Sequence, residues 1–225
     1  MSLNIPVIRL LVAKDWQLFQ KQLAVLVLAG IVALCFLGLA RPWAFYVGSL
    51  TLLVVLVSAS CFSISSSLMN ERKEQTLAFV MSLPVSPMDF TVSKLAGNLL
   101  TFGVPFLLLL GGTLAVVLLT PLPDGLVVYS LLIFAYILFA YAVSLAAVMS
   151  VTSEGWATFA MIGSMLLINP YIMALAQVPA ISDRINVDAV AWTPTAVAIV
   201  STLVLLAVAV IGAATWHHAR KPAFY

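Results

Sequence analysis

The chain has 225 residues, of which 64% are hydrophobic and only 8% are charged. A soluble domain carries about 25% charged residues, so a surface this poor in charge has to face lipid over most of its area. The net charge of +2 is too small to indicate nucleic-acid binding, and the length fits a single transmembrane domain, residues 1–225, with no second soluble domain.

The first predicted element is an amphipathic helix within residues 1–21, most clearly over 5–21. Pro6 fits a helix start. The apolar residues of this helix share one face: Ile8, Leu11, Val12 and Phe19. Asp15 interrupts that face. The pattern is typical of a helix that lies in the membrane interface rather than crossing the bilayer.

Six apolar segments follow, and each reaches the roughly 20 residues that a helix needs to cross the hydrocarbon core. We place them at 22–40, 46–67, 95–120, 127–151, 156–178 and 194–216. Asn169-Pro170 interrupts the fifth segment, so residues 170–178 either continue the span or form a re-entrant or outer-surface helix. The sequence therefore predicts an all-α integral membrane protein with six transmembrane helices.

Lysine and arginine indicate the orientation, because they are enriched in cytoplasmic loops. With six spans, both termini lie on one side. That side carries eight of the ten basic residues: Arg9, Lys14, Lys21, Arg72, Lys73, Lys94, Arg220 and Lys221. The other side carries only Arg41 and Arg184. Both termini are therefore expected in the cytoplasm, with 179–193 as an outer loop and 217–225 as a cytoplasmic tail.

Residues 68–94 form the longest cytoplasmic link and contain the densest cluster of charged residues in the chain, Glu71-Arg72-Lys73-Glu74. Its first piece, 71–82, is a charged extension of the second span. Leu83-Pro84 predicts a corner after this piece, since the residue before a proline avoids the helical region.

A short amphipathic helix is predicted after the corner, at about 86–95. Ser86 fits the N-cap and Pro87 the first helical position. Asp89 in its first turn and Lys94 near its end match the helix dipole. Such a helix could dock in a groove of a soluble partner and move with that partner. The alternative is an ordinary solvated loop.

Three pieces of this link resemble the signature of ABC-2 type transporter permeases: Glu71-Arg72-Lys73-Glu74-Gln75-Thr76-Leu77, then Leu83-Pro84-Val85-Ser86-Pro87, then Lys94. In that family an acidic and basic cluster precedes Gly-Thr-Leu or Gln-Thr-Leu, and a Leu-Pro-Val-Ser element and a lysine follow. Gln75 stands where many members have glycine. The interfacial helix, the six spans and the cytoplasmic termini also resemble the family, so the resemblance covers nearly the whole chain.

The resemblance implies the membrane subunit of an ATP-driven exporter in the cytoplasmic (inner) membrane of a bacterium. It would pair with a second permease copy, expected to be identical, and with two ATPase subunits that bind ATP and Mg. The helix at 84–94 would be the coupling helix, which docks on the ATPase. The matched coupling residues are Glu71, Arg72, Glu74, Pro84, Val85, Ser86, Pro87, Met88, Asp89 and Lys94.

The sequence contains no Gly-x-x-x-x-Gly-Lys-Ser/Thr phosphate loop. We therefore expect ATP hydrolysis on a separate polypeptide, and no enzymatic activity or bound cofactor on this chain. Cys35 and Cys61 lack metal-ligand spacing, and the adjacent His217 and His218 point about 100° apart on a helix. No metal or catalytic site is expected.

Polar residues inside spans are candidate positions on a substrate pathway. They are Ser60, Ser63 and Ser67 in the second span and Asn169 and Tyr171 in the fifth. The alternative is helix packing, because serine lets helices approach closely and Pro170 can simply kink the fifth span. The nearly uncharged spans favour an amphipathic or hydrophobic substrate.

Two other functions remain as alternatives. A stand-alone secondary transporter or channel usually carries ionisable residues near the bilayer midplane, and none falls in a predicted span. The second alternative is a membrane scaffold that does not transport. Co-purification of an ATPase would distinguish the ATP-driven transporter from both alternatives.

Overall fold

The computed structural model describes residues 4–39, 41–69, 87–151 and 153–219. These ranges are helical and contain no β-strand. Six of the helices are long and apolar enough to cross a membrane. The predicted all-α fold with six helices suited to crossing a membrane is thus confirmed.

The first four long helices are α1, Ile5–Gly38; α2, Pro42–Ile64, continued by a π-helical turn, Ser65–Met69; α3, Pro87–Leu119; and α4, Leu126–Ser150. The fifth span consists of α5, Glu154–Leu166, and α6, Ile168–Ala176. A single turn, α7, Pro179–Ser182, precedes the last span, α8, Pro194–Ala219. The ends of these helices lie within a few residues of the predicted span ends, except where α1 and α3 begin.

The helix α1 is continuous, whereas the sequence predicts a separate interfacial helix at 5–21 before the first span. No proline or glycine lies between Pro6 and Gly30, so nothing ends the helix near residue 21. Its 34 residues extend about 51 Å at 1.5 Å per residue, well beyond the roughly 30 Å hydrocarbon core. The N-terminal segment is therefore the first part of one long helix instead of a helix of its own.

The helix α3 begins at Pro87, where the Ser86-Pro87 pair predicts a helix start. It does not end near residue 95 as the predicted coupling helix would. No second proline follows until Pro105, so the helix runs on into the third span. Residues 87–94 are thus the first two turns of a spanning helix, and residues 70–86 lie outside the described ranges.

The helices α1 and α3 run side by side in the same direction. A Cβ on Gly30 would meet the side chain of Leu109, and a Cβ on Gly112 would meet that of Leu34. The residue numbers of the contacting positions increase together along α1 and α3, so the two helices are parallel. Both helices therefore begin on the same side of the protein, where the 70–86 segment joins α2 to α3.

The helix α4 lies at the centre. Within its most apolar stretch 61% of the residues are buried, against 11% for α8. It packs against α2, α3, α5, α6 and α8. The Tyr141 ring of α4 stacks on Phe102 of α3 with ring centroids 4.0 Å apart. The helix α4 is therefore shielded by its neighbours, whereas α8 lies at the periphery, with most of its apolar surface available to lipid.

The fifth span breaks close to Pro170, as the sequence predicts. The helix is interrupted at Leu167, because Pro170 has no N–H to donate to the carbonyl of Leu166. A neighbouring helix stabilises the break: the Tyr136 hydroxyl of α4 donates to the carbonyl of Ser164 at 2.8 Å. A carbonyl near the broken end of α5 is thereby hydrogen-bonded inside the protein.

Candidate functional site

A buried ion pair joins α1 to α3. The Nζ of Lys94 lies 3.0 Å from Oδ2 of Asp15, and both side chains are only 4% exposed. A buried charge costs several kcal/mol unless it is paired, and here two opposite charges lie in contact. Gly97 allows the close approach, since a Cβ there would lie 3.3 Å from the same carboxylate oxygen.

Hydrogen bonds continue from this pair to the end of α2. The Ser67 hydroxyl donates to Oδ2 of Asp15 at 3.4 Å. The Asn98 amide donates to the Ser67 hydroxyl at 3.1 Å and to the carbonyl of Lys94 at 3.0 Å. The network therefore connects three helices. The π-helical turn that carries Ser67 is itself a local widening of the kind found frequently at functional sites.

The network extends one turn further along α2 and α3. The hydroxyls of Ser63 and Thr101 lie 2.6 Å apart, and the Ser63 hydroxyl also donates to Oδ1 of Asn98 at 3.3 Å. We name the polar network by its six buried members: Asp15, Ser63, Ser67, Lys94, Asn98 and Thr101. Ser60 is equally buried, and its hydroxyl has no hydrogen-bond partner within the described ranges.

A second contact joins the beginnings of the same two helices. The backbone N–H of Asn4 donates to Oδ1 of Asp89 at 2.9 Å. Asp89 lies in the first turn of α3 and is 5% exposed. The N-terminal end of α1 is thus held to α3 at two points, by Asp89 and by Lys94.

The predicted coupling residues fall into three groups in the structure. Six of them lie outside the described residues: Glu71, Arg72, Glu74, Pro84, Val85 and Ser86. Pro87 begins α3, and Met88 is exposed. Asp89 and Lys94 are buried against α1, where they contact this chain itself.

The predicted pathway residues lie in two separate places. Ser60, Ser63 and Ser67 are buried inside the chain, on the side of α2 where the polar network lies. Asn169 is exposed, whereas the half-buried Tyr171 donates from its hydroxyl to the carbonyl of Leu132 at 3.1 Å. The hydrogen bonds of the described residues do not join the serines to the fifth span. A role in substrate passage stays a prediction for all five.

Sequence reasoning missed Asp15, Asn98 and Thr101 as members of a site. A signal was present for two of them: Asp15 interrupts an apolar face, and Asn98 is an amide inside a predicted span. Burial of a carboxylate or an amide in apolar surroundings costs free energy unless a hydrogen-bond or charge partner is near. Their partners lie on other helices, so no local pattern could identify them.

The polar network offers charge pairing and hydrogen bonding between helices. Within the described ranges, no three His, Cys, Asp or Glu side chains lie close enough to hold a metal ion.

No family model, curated protein or solved structure matches the chain. Any functional assignment therefore depends on the residues themselves.

Proposed function

We propose that the chain is the membrane subunit of an ABC-2 type, ATP-driven transporter, coupled to a separate ATPase through residues 71–94. The observation that carries the proposal is the signature in that segment, from Glu71 through Leu83-Pro84 to Lys94. Six apolar helices supply the membrane-spanning part that such a subunit requires.

The surroundings of Lys94 support a coupling role. This residue of the signature is paired with Asp15 of α1 and lies beside Asn98 and Ser67. Segment 70–86 leaves the end of α2 and enters the beginning of α3, the two places that the polar network joins. A displacement of the segment would therefore be transmitted to α1, α2 and α3 together.

The proposed mechanism uses these connections. ATP binding, with Mg, closes the two ATPase subunits. The coupling segment of each permease copy moves with the ATPase on which it docks. Helices α2 and α3 transmit that motion and switch the spans between inward and outward access. An amphipathic or hydrophobic molecule fits a pathway between spans that carry almost no charge.

Purification of the tagged chain from its native membrane in mild detergent tests the proposal. We expect a polypeptide with a phosphate loop to co-purify and the complex to hydrolyse ATP. Pro84→Ala together with Ser86→Ala should reduce the bound ATPase or its activity at least severalfold, whereas Asp188→Asn in the outer loop should not. A chain that purifies without any ATPase would refute the proposal.

A secondary transporter is the second candidate, because the structure buries an ionisable pair between helices. Asp15 and Lys94 precede the apolar stretches of α1 and α3, however, so they lie toward one end of each span. Ion-coupling sites lie near the bilayer midplane. Dissipation of a pH gradient by proteoliposomes that contain only this chain, and its loss in Asp15→Asn, would favour this second function.

A further inference from the structure

We propose that Lys14 and Lys21 of α1 bind the headgroup phosphates of anionic phospholipids, in the leaflet where α1 begins. Both lysines are exposed and lie seven residues apart, which is about two turns along one side of a helix. Neither belongs to the polar network, and the proposal does not depend on the transport function.

The two lysines face away from the rest of the chain. The helix α1 packs against α2 and α3, and its buried residues are Asp15, Leu23, Gly30, Ala33, Leu34 and Leu37. With about 100° between successive residues, Lys14 and Lys21 lie roughly 150–170° around the helix from the mean direction of that set. Their side of α1 is therefore the side that a membrane can reach.

Along this side of α1 the residues change from apolar to basic. Toward the N-terminus, Leu28 and Val25 are followed by Lys21, Leu18 and Lys14, at alternating spacings of three and four residues. Leu28, Val25 and Leu18 are exposed by 61%, 65% and 56%. Exposed apolar side chains of a spanning helix meet acyl chains, whereas lysines extend their ammonium groups to the headgroups. The change therefore marks the boundary between hydrocarbon and headgroups.

The length of α1 places the lysines at the same depth. From Lys21 to the helix end at Gly38 is about 26 Å at 1.5 Å per residue, close to the roughly 30 Å of the hydrocarbon core. Lys14 lies about 10 Å further out. The interfacial layer is roughly 5–8 Å thick on each side of the bilayer. The two flexible side chains can therefore reach the phosphate layer from its inner and outer edges.

The charge of this part of α1 favours an anionic lipid. Within residues 4–39, Arg9, Lys14 and Lys21 are exposed, and the one acidic residue of that range, Asp15, is buried against Lys94. A zwitterionic headgroup carries a cationic group that offsets its phosphate, whereas phosphatidylglycerol keeps a full negative charge. Each lysine near an anionic surface raises association about fivefold.

A second copy of this chain fits this face less well than lipid does. In a two-fold symmetric pair the same patch meets itself. The lysines of the two copies would then lie together and repel one another. Acyl chains, in contrast, also fit Val25 and Leu28, which continue the face into the span.

A label between the two lysines can report on the lipid beside them. In a background without Cys35 and Cys61, Leu18→Cys carries the fluorophore bimane. The purified protein is reconstituted in phosphatidylcholine bilayers. These contain, at equal mole fraction, either phosphatidylglycerol or phosphatidylcholine with a nitroxide close to the headgroup. The ratio of the two quenching constants measures the preference for the anionic lipid.

In the parent protein we expect phosphatidylglycerol to quench at least fivefold more strongly than phosphatidylcholine. Lys21→Gln should lower this ratio at least twofold, and Lys14→Gln with Lys21→Gln should bring it close to one. Lys14→Arg with Lys21→Arg keeps the charges and should keep the ratio. Arg41→Gln with Arg184→Gln removes as many charges at the other end of the spans and should leave the ratio unchanged.

Arg9→Gln distinguishes a defined face from a diffuse attraction. Arg9 lies near the same end of α1, but roughly 120–140° around the helix from the two lysines. The ratio should fall less in Arg9→Gln than in Lys21→Gln, and equal effects of the two changes would contradict the proposed face. Equal quenching by both lipids in the parent protein, or a ratio that persists in Lys14→Gln with Lys21→Gln, would overturn the proposal.

Discussion

Gly48 of α2 lies directly against the backbone of α1: a Cβ on it would lie 2.8 Å from both the carbonyl oxygen of Ala33 and the amide nitrogen of Leu37. Backbone atoms cannot move aside as a flexible side chain can. We expect Gly48→Ala to lower the free energy of unfolding by about 1–3 kcal/mol, measured by titration with SDS in mixed micelles. Gly103→Ala, with no atom within 4 Å, should instead be neutral or stabilise by up to about 1 kcal/mol.

Asn98 is the connecting member of the polar network, since it bonds to Ser67, Lys94 and Ser63. Asn98→Leu removes these bonds and leaves buried hydroxyls with fewer partners. A loss of roughly 1–2 kcal/mol is expected, because hydrogen bonds between membrane helices are individually modest. Asn169→Leu, at an exposed position, is the matched control and should change stability by less than about 0.5 kcal/mol. Equal effects of the two changes would contradict the network.

Tyr136 holds the broken fifth span to α4 through its hydroxyl. Tyr136→Phe keeps the ring, which stacks on Tyr171 at 4.5 Å between centroids, and removes only the bond to Ser164. We predict a loss of about 1 kcal/mol and greater protease sensitivity of the segment around α6. Tyr46→Phe, on the exposed face of α2, should alter neither quantity.

Gly125 permits close contact between the start of α4 and the outer loop. Its N–H donates to the carbonyl of Val187 at 2.9 Å, and a Cβ at this position would overlap the carbonyl oxygen of Arg184. Gly125→Ala should therefore displace the loop and speed its cleavage by added protease severalfold. Gly111→Ala, where nothing lies within 4 Å, should cleave at the parent rate. Unchanged cleavage of Gly125→Ala would refute the contact.

The distribution of basic residues predicts that both termini are cytoplasmic. In a background without Cys35 and Cys61, a membrane-impermeant maleimide added to intact cells should label Asp188→Cys. It should label Arg9→Cys only after the membrane is opened. The opposite pattern would reverse the orientation and place segment 70–86 on the outer side, where it could not meet a cytoplasmic ATPase.

The membrane fold was predictable because a helix that crosses the bilayer needs a long apolar segment, which can be recognised directly in the sequence. Apolar length located all six spanning helices, and Asn169-Pro170 located the break of the fifth within a few residues. These features depend on neighbouring residues in the chain.

The polar network was not predictable in the same way. Its contacts between helices join residues between 31 and 79 positions apart. Lys94 was interpreted as a helix-dipole partner, and Asp15 as an interruption of an apolar face. Each interpretation was locally reasonable, yet the two residues compensate one another. The structure has no helix boundary at residue 21: without a proline or glycine between Pro6 and Gly30, α1 is continuous where composition suggested a separate interfacial helix.

The long separation between Asp15 and Lys94 also sets an order of events during synthesis. Asp15 leaves the ribosome with the first span, whereas Lys94 follows only after the second span and the 70–86 segment. A carboxylate without its partner is disfavoured in the bilayer, so we expect the part of α1 that carries Asp15 to stay in contact with water until α3 is made. The ion pair closes when the third span arrives. A contact that holds two helices in the finished protein thus also ensures that the first helix is not locked in place before the third has been made.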